Sequence, residues 1–282
     1  MTTPRDLLEL VRAPAALSVP GDVVAGAAAG GALGRRTAGL ACSSICLYWA
    51  GMAANDWADR RLDAIERPER PIPSGRVSAN AALGTAATLT VAGLAVAGLV
   101  GGRRALAVAA PLACAVWTYD LAAKGTPVGP LTMALCRGLD VLLGASLSSS
   151  AVAALPAALT IAAHTYLLTA LSHAEVSGAD PRLPAATLAG TLSLAAATAH
   201  GSAGATQLTL AGWYAAQFGR PQARAVVNPS PVRVREAVTA GIVSLPALQG
   251  ALAARGGAPR VALALAAAIP LAWHLVRKIS AT

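Results

Sequence analysis

Residues 55 to 63 read Asn55-Asp56-Trp57-Ala58-Asp59-Arg60-Arg61-Leu62-Asp63, three carboxylates and an amide close together in a chain of which only 12% is charged. On a helix Asp56, Asp59 and Asp63 fall at i, i+3 and i+7 and project from one face, with Asn55 four residues before Asp59. Like charges on one face repel, and they become favourable when a hard divalent cation is drawn between them. Mg²⁺ fits best, because it takes oxygen ligands and shares them between one or two carboxylates and substrate phosphates. A merely solvated acidic helix end is the plainer reading, disfavoured by that repulsion and by the scarcity of charge elsewhere.

The next segment reads Glu66-Arg67-Pro68-Glu69-Arg70-Pro71-Ile72-Pro73-Ser74-Gly75-Arg76-Val77-Ser78. Its prolines end the helix and stiffen a non-helical loop. Arg67 and Arg70 are thereby held just past the acidic face, where guanidinium forks grip phosphate oxygens in pairs. Carboxylates for a cation beside arginines for an anion suit a metal diphosphate, whose oxygens call for both.

The elements that position these groups are membrane helices. The chain of 282 residues is 55% hydrophobic with positive mean hydropathy, and apolar stretches recur near 14–33, 38–54, 79–101, 105–122, 128–148, 152–172, 184–202, 206–219, 236–254 and 260–276. Such lengths match a hydrocarbon core of roughly 30 Å. Ala, Leu and Gly dominate without period-two alternation, which excludes barrel strands, and windows such as 79–101 lack the charged face of a soluble bundle. The expectation is an all-α, polytopic bundle of nine to ten transmembrane helices in a single domain over 1–282, with no cleavable signal. The stretch 206–219 is short and polar, and decides between nine and ten. With the N-terminus inside, ten crossings gather most Lys and Arg on the cytoplasmic side, whereas nine spread them almost evenly. Either count makes the polar loops 55–78, 119–127 and 173–183 cytoplasmic.

Other chemistry-bearing residues are few. Cys42, Cys46, Cys114 and Cys136 lie inside spans and read as small buried apolar residues. Trp49, Trp117, Trp213 and Trp273, with Tyr48, Tyr119 and Tyr214, lie near span ends and read as interfacial belts. Arg137 and Asp140 share a face of the fifth span, as an internal ion pair or as lining for the acceptor end of a cavity. His164 and His200 read as polar contacts between helices, and His173 as a possible aid to acceptor deprotonation. The net charge of +9 is spread over loops, favouring anionic substrates and membrane lipid, with no basic stripe for nucleic acid.

The run from Asn55 to Ser78 resembles the first signature of the UbiA superfamily of intramembrane prenyltransferases. Tyr119 and Lys124 are similar to that family's Tyr and Lys pair, and an acidic loop follows the sixth span where the family has a second aspartate-rich motif. The resemblance implies a bundle around a cavity open toward lipid, with two metal motifs facing each other at its cytoplasmic mouth. It implies that Asn55, Asp56, Asp59 and Asp63 bind Mg²⁺ and, with it, an isoprenyl diphosphate donor. Arg67, Arg70, Lys124 and Tyr119 would then hold the diphosphate, and a hydrophobic or small-molecule acceptor would capture the allylic cation.

The second motif departs from the family pattern. Residues 172–180 read Ser-His-Ala-Glu-Val-Ser-Gly-Ala-Asp, so only Glu175 and Asp180 remain as ligands. Five residues apart, they converge only if Gly178 breaks the helix. Glu175 is either the sole second-motif ligand or an interfacial loop residue. A non-catalytic isoprenoid-binding or transport protein is the alternative function, against which stands the lack of an internal repeat. A CDP-alcohol phosphotransferase is disfavoured by the absence of an Asp-Gly pair. No motif records the acceptor or the donor chain length.

Overall fold

In the computed structural model, which describes residues 2–201 and 204–267, a helix occupies each of the ten apolar stretches. The last runs from 259 to 267, and the remainder of the predicted span 260–276, with Trp273, lies outside the described residues. No strand occurs among the described residues, as the composition requires. A short N-terminal helix α1 (Pro4–Leu10) precedes α2 (Pro20–Ala29), α3 (Arg35–Glu66) and α4 (Ala79–Thr118). Then follow α5 (Gly129–Ala145), α6 (Leu155–Ser172), α7 (Arg182–Ala199), α8 (Ala205–Val227) and α9 (Pro231–Arg255).

The two long helices carry the site. At 32 residues, α3 is about 48 Å long and outruns a hydrocarbon core of about 30 Å, so its last third, holding the acidic cluster, projects beyond the apolar part. Helix α4 folds back on itself. Gly102 is non-helical, with φ 62°, and Trp117 Nε1 donates to Thr90 Oγ1 at 3.1 Å. In a straight helix those residues would be about 40 Å apart. Both predicted spans within 79–122 are therefore antiparallel arms of one hairpin, which returns the chain to the end of α3 where Tyr119 and Lys124 sit.

Among the described residues four helical stretches are long and apolar enough to cross a membrane by length and composition: α3, α4 with its following turn, α6 with its preceding turn, and α9. Helix α8 falls below that hydropathy, yet its 23 residues span about 35 Å.

Small residues set the packing. A Cβ on Gly26 of α2 would stand 1.8 Å from the Val141 carbonyl oxygen of α5, and one on Gly144 of α5 would stand 1.9 Å from the Val23 carbonyl oxygen. Only glycine permits this crossing, which presses Asp22 of α2 toward Arg137 of α5. The buried apolar side chains gather into separate clusters, one with Leu40, Leu47 and Leu112 and another with Ile161, Phe218 and Leu248.

Three minor expectations are corrected. Of the four cysteines only Cys136 is buried, while Cys42 and Cys114 lie on the outer face, where a thiol is apolar enough for lipid. Tyr214 is a core residue with 0% exposure, and its hydroxyl meets His164 Nδ1 at 3.0 Å. His164 thus joins α6 to α8 as predicted, but His200 is exposed at the end of α7 and makes no side-chain contact between helices among the described residues.

Candidate functional site

The end of α3, the proline loop and the segment after α4 form a cluster in which Asp56, Asp59, Asp63 and Asp120 each have a cationic or amide partner. Arg70 reaches back from the loop, Nη1 lying 2.6 Å from Asp63 Oδ2 and 3.4 Å from Asp56 Oδ1. Arg67 Nη1 stands 3.8 Å from Asp63 Oδ1. Lys124 pairs with Asp59, and Asn55 Nδ2 donates to Asp120 Oδ1 at 3.3 Å. The fourth cation is Arg12, whose Nη2 lies 2.8 Å from Asp56 Oδ1. Arg12 has φ 47°, the sole non-glycine in the left-handed region among the described residues. That conformation costs about 1–2 kcal/mol, here offset by anchoring on both sides.

The loop is built to hold Arg70. Ser74 N and Oγ both donate to the Arg70 carbonyl, at 3.0 and 2.7 Å, and Val77 N donates to Pro71 O at 2.9 Å. Arg76 then straps α1 to the loop through Asp6 at 3.0 Å and Glu9 at 2.6 Å. Hydrogen bonds from Thr3 in the capping box, reinforced by Arg76, hold the Asp6 carboxyl down at about 2. Asp6 and Glu9 in turn push the Arg76 guanidinium further up. Helix α1 is thus a strap, and Arg12 at its end is delivered to Asp56.

Among the described residues no three acidic, histidine or cysteine side chains are gathered to hold a metal ion. Asp56, Asp59 and Asp63 are each paired with one or more of the chain's own cations. The donor set of carboxylate and amide oxygens is nonetheless the hard set that Mg²⁺ takes, so the residues fit that ion.

Tyr119 to Ala123 form a π-turn that closes the α4 hairpin. This turn directs Tyr119 and Asp120 into a cavity of about 100 Å³, also lined by Tyr48, Met52, Arg137 and Asp140. Arg137 and Asp140 therefore line the cavity, but they do not pair with each other. Arg137 Nε lies 2.8 Å from Asp22 Oδ2, and Gln249 Nε2 donates to Asp22 Oδ1 at 2.7 Å. Asp140 Oδ1 instead accepts the Ser44 hydroxyl at 2.5 Å. Of the two alternatives, an ion pair between them or cavity lining, the pair does not form, because the close α2–α5 crossing offers Arg137 a nearer carboxylate than the one three residues along its own helix.

After α6 ends at Ser172 the chain turns until Gly178, at φ 80°, breaks it as the sequence requires. Glu175 is half-buried, and that burial pushes its carboxyl up, with Arg235 opposing. Arg235 Nη2 donates to the Glu175 carbonyl at 3.4 Å. Asp180 is exposed and accepts from Arg182 N at 2.8 Å, capping α7. His173 is exposed and does not line the cavity.

The UbiA prenyltransferase family matches residues 17–219, a stretch containing every group above except the N-terminal strap, Arg235 and Gln249. The chain belongs to the UbiA prenyltransferase family. Its relatives include a digeranylgeranylglyceryl phosphate synthase of Methanothrix thermoacetophila, 36% identical over 142 residues, which are 49% of this chain and 53% of that protein. Another is the bacteriochlorophyll synthase 33 kDa chain of Cereibacter sphaeroides, 36% identical over 117 residues, 40% of this chain and 38% of that one. The chain spans about half the length of the curated relatives it matches. A solved structure concerned with digeranylgeranylglyceryl phosphate synthase in membranes superposes with TM-score 0.69 at 17% identity, covering 91% of this chain and 98% of that one. The apo structure of a UbiA homolog from Aeropyrum pernix K1 gives TM-score 0.62 at 20% identity, covering 84% and 96%. Both likenesses show the fold.

Within this UbiA framework, sequence reasoning missed Arg12, Asp120, Asp22, Ser44 and Gln249. Arg12 reads as one more positive charge before the first span, and only the strap shows where it goes. Asp22 carried a usable signal, an acid within a predicted apolar span, the same signal that singled out Arg137 and Asp140. Asp120 sits between Tyr119 and Lys124 and was legible as part of that segment.

Proposed function

We propose that the chain is a Mg²⁺-dependent prenyltransferase that moves an isoprenyl group from an isoprenyl diphosphate to an acceptor within the membrane. One observation carries the reading: Asp56, Asp59, Asp63 and Asp120 interleave with Arg12, Arg67, Arg70 and Lys124 at the mouth of a largely apolar cavity. Such a cluster is balanced in the free chain and can open to take a divalent cation and a polyanion together. When bound, Mg²⁺ supplies Lewis-acid stabilisation of the charge that develops on the departing diphosphate. Arg67, Arg70 and Lys124 bind and orient the diphosphate oxygens, and the Tyr119 hydroxyl faces the same cavity. Apolar walls from Leu47, Leu112 and Val116 exclude water as the allylic carbon–oxygen bond breaks and the acceptor's nucleophile takes its place. Glu175 is the second-motif group assigned to this site, and Asp180 serves α7.

The relatives' names denote two different products, so family membership leaves the acceptor open. A multi-pass chain with loops 55–78, 119–127 and 173–183 on the cytoplasmic side follows from the loop charges. A reporter fused after Arg224 is then cytoplasmic, and an external signal would return the chain to nine crossings. For the function itself, purified protein should bind an isoprenyl diphosphate tightly with Mg²⁺ and at least tenfold more weakly without it. Binding that ignores the metal would point to an isoprenoid carrier on the same fold.

A further inference from the structure

Beneath the charged mouth the cavity ends on a polar floor that diphosphate binding does not use. Asp140 is 3% exposed. Its Oδ1 accepts the Ser44 hydroxyl, and its Oδ2 has no hydrogen-bond partner among the described residues. A buried carboxylate oxygen without a donor is costly to maintain, and Asp140 is one of the residues lining the cavity. Among the described residues Arg137 is the lone cation in that lining, and it is occupied: Nε faces Asp22, and Nη2 donates to the Ser18 carbonyl at 3.3 Å. Asp22 and Asp140 outnumber Arg137 there, so the floor repels an anion, and it lacks one hydrogen-bond donor.

We propose that this floor is a subsite for a hydrogen-bond-donating group, a hydroxyl or an amine, at the deep end of the acceptor, with Asp140 Oδ2 receiving the bond. Calling the ligand an acceptor rests on the transferase reading; the chemistry of the floor does not. Depth limits the ligand further. Ser44 at the floor and Met52 near the mouth lie eight residues apart on α3, about 12 Å. The acceptor is thus an elongated molecule with its reacting group above and an uncharged donor group below, and a molecule carrying phosphate or carboxylate at its deep end is excluded. Between the two, Leu47, Leu112 and Val116 offer walls suited to a hydrocarbon or a small ring.

The test uses ring-sized probes on full-length protein in nanodiscs, comparing variants so that partition into lipid cancels. Wild type should bind benzyl alcohol at least fivefold more tightly than toluene or benzoate. Asp140→Ala should lose the preference for the alcohol. Asp140→Asn keeps the shape and turns its amide N–H₂ toward the cavity, since Ser44 still donates to Oδ1; its preference should move from benzyl alcohol to benzaldehyde, a change that a merely structural role would not produce. Equal affinities for alcohol and toluene in wild type, or an unchanged ranking in Asp140→Asn, would overturn the proposal. So would tightest binding of benzoate. Inorganic pyrophosphate binding by wild type with Mg²⁺, measured alongside, tests the donor site by itself, so the two readings fail separately.

Discussion

Two charged clusters lie along one cavity and are built in opposite ways. At the mouth, acids from α3 and the π-turn meet cations from the proline loop, from the π-turn segment and from the end of the strap. Several of those cations are partly open: the side chains of Arg12 and Lys124 are 37% and 35% exposed. At the floor, Asp22, Arg137, Asp140, Ser44 and Gln249 come from α2, α3, α5 and α9, and Asp22 is wholly buried. The mouth can exchange partners with water and ligand nearby. The floor cannot, because its helices are locked by the Gly26 and Gly144 contacts. Charge at the mouth is therefore available for binding, whereas most charge at the floor holds helices together and leaves one oxygen over.

Breaking the floor should cost stability first. Arg137→Ala leaves Asp22 buried with only Gln249, and removing one member of a buried pair costs about 3–5 kcal/mol. Unfolding in detergent should show that loss, and Arg137→Ala with Asp22→Asn should recover part of it. An Arg137→Ala protein as stable as wild type would erase the distinction between the two clusters. The equivalent cut at the mouth should affect binding instead. Asp56→Ala or Asp59→Ala removes acidic donors without removing apolar packing, so affinity for a Mg²⁺ diphosphate should fall at least a hundredfold while insertion and unfolding stay near wild type. Metal titration of the purified variants decides this, and unchanged affinity would remove the basis of the site assignment.

The second motif sharpens the comparison at smaller scale. Glu175→Gln keeps the side chain's shape and removes one charge. Pyrophosphate release should then fall at least tenfold, about 1.4 kcal/mol of transition-state stabilisation. Asp180→Asn should matter less, since Asp180 faces its own helix end. Equal rates for Glu175→Gln and wild type would make Glu175 a loop residue only. The smallest effect concerns the strap. The Asp6 carboxyl sits at about 2 in the folded chain against an ordinary 3.8. Its contribution is thus fully present above that ordinary value and lost as pH falls through about 2. Protection of the α1 amides, with exchange corrected for its intrinsic pH dependence, should fall over that interval, and unchanged protection would mean that α1 is held by its apolar face alone.

Legibility followed the same division. The mouth was readable because its chemistry is local: Asn55 to Ser78 is one continuous stretch, helix periodicity puts its acids on one face, and prolines fix where its arginines begin. Tyr119 and Lys124 were readable by order along the chain. What was not readable depends on contacts that no spacing encodes. The pairing of Arg137 with Asp22 is decided by a glycine-mediated crossing of α2 and α5, and Gln249 joins from 227 residues away. Arg12 required knowing that Arg76 folds α1 over the loop. The helical stretches themselves were evident from hydropathy, while the hairpin within α4 rests on Gly102 and on the bond between Trp117 and Thr90.

The central claim is that the mouth cluster ionises an isoprenyl diphosphate. The most direct measurement is pyrophosphate release from a labelled isoprenyl diphosphate by purified wild-type protein, with Mg²⁺ and again with the metal chelated. Release that needs Mg²⁺ and disappears in Asp59→Ala is the predicted result. Donor that binds with Mg²⁺ yet releases no pyrophosphate, whatever acceptor is supplied, would contradict the claim and leave a binding protein on the prenyltransferase fold.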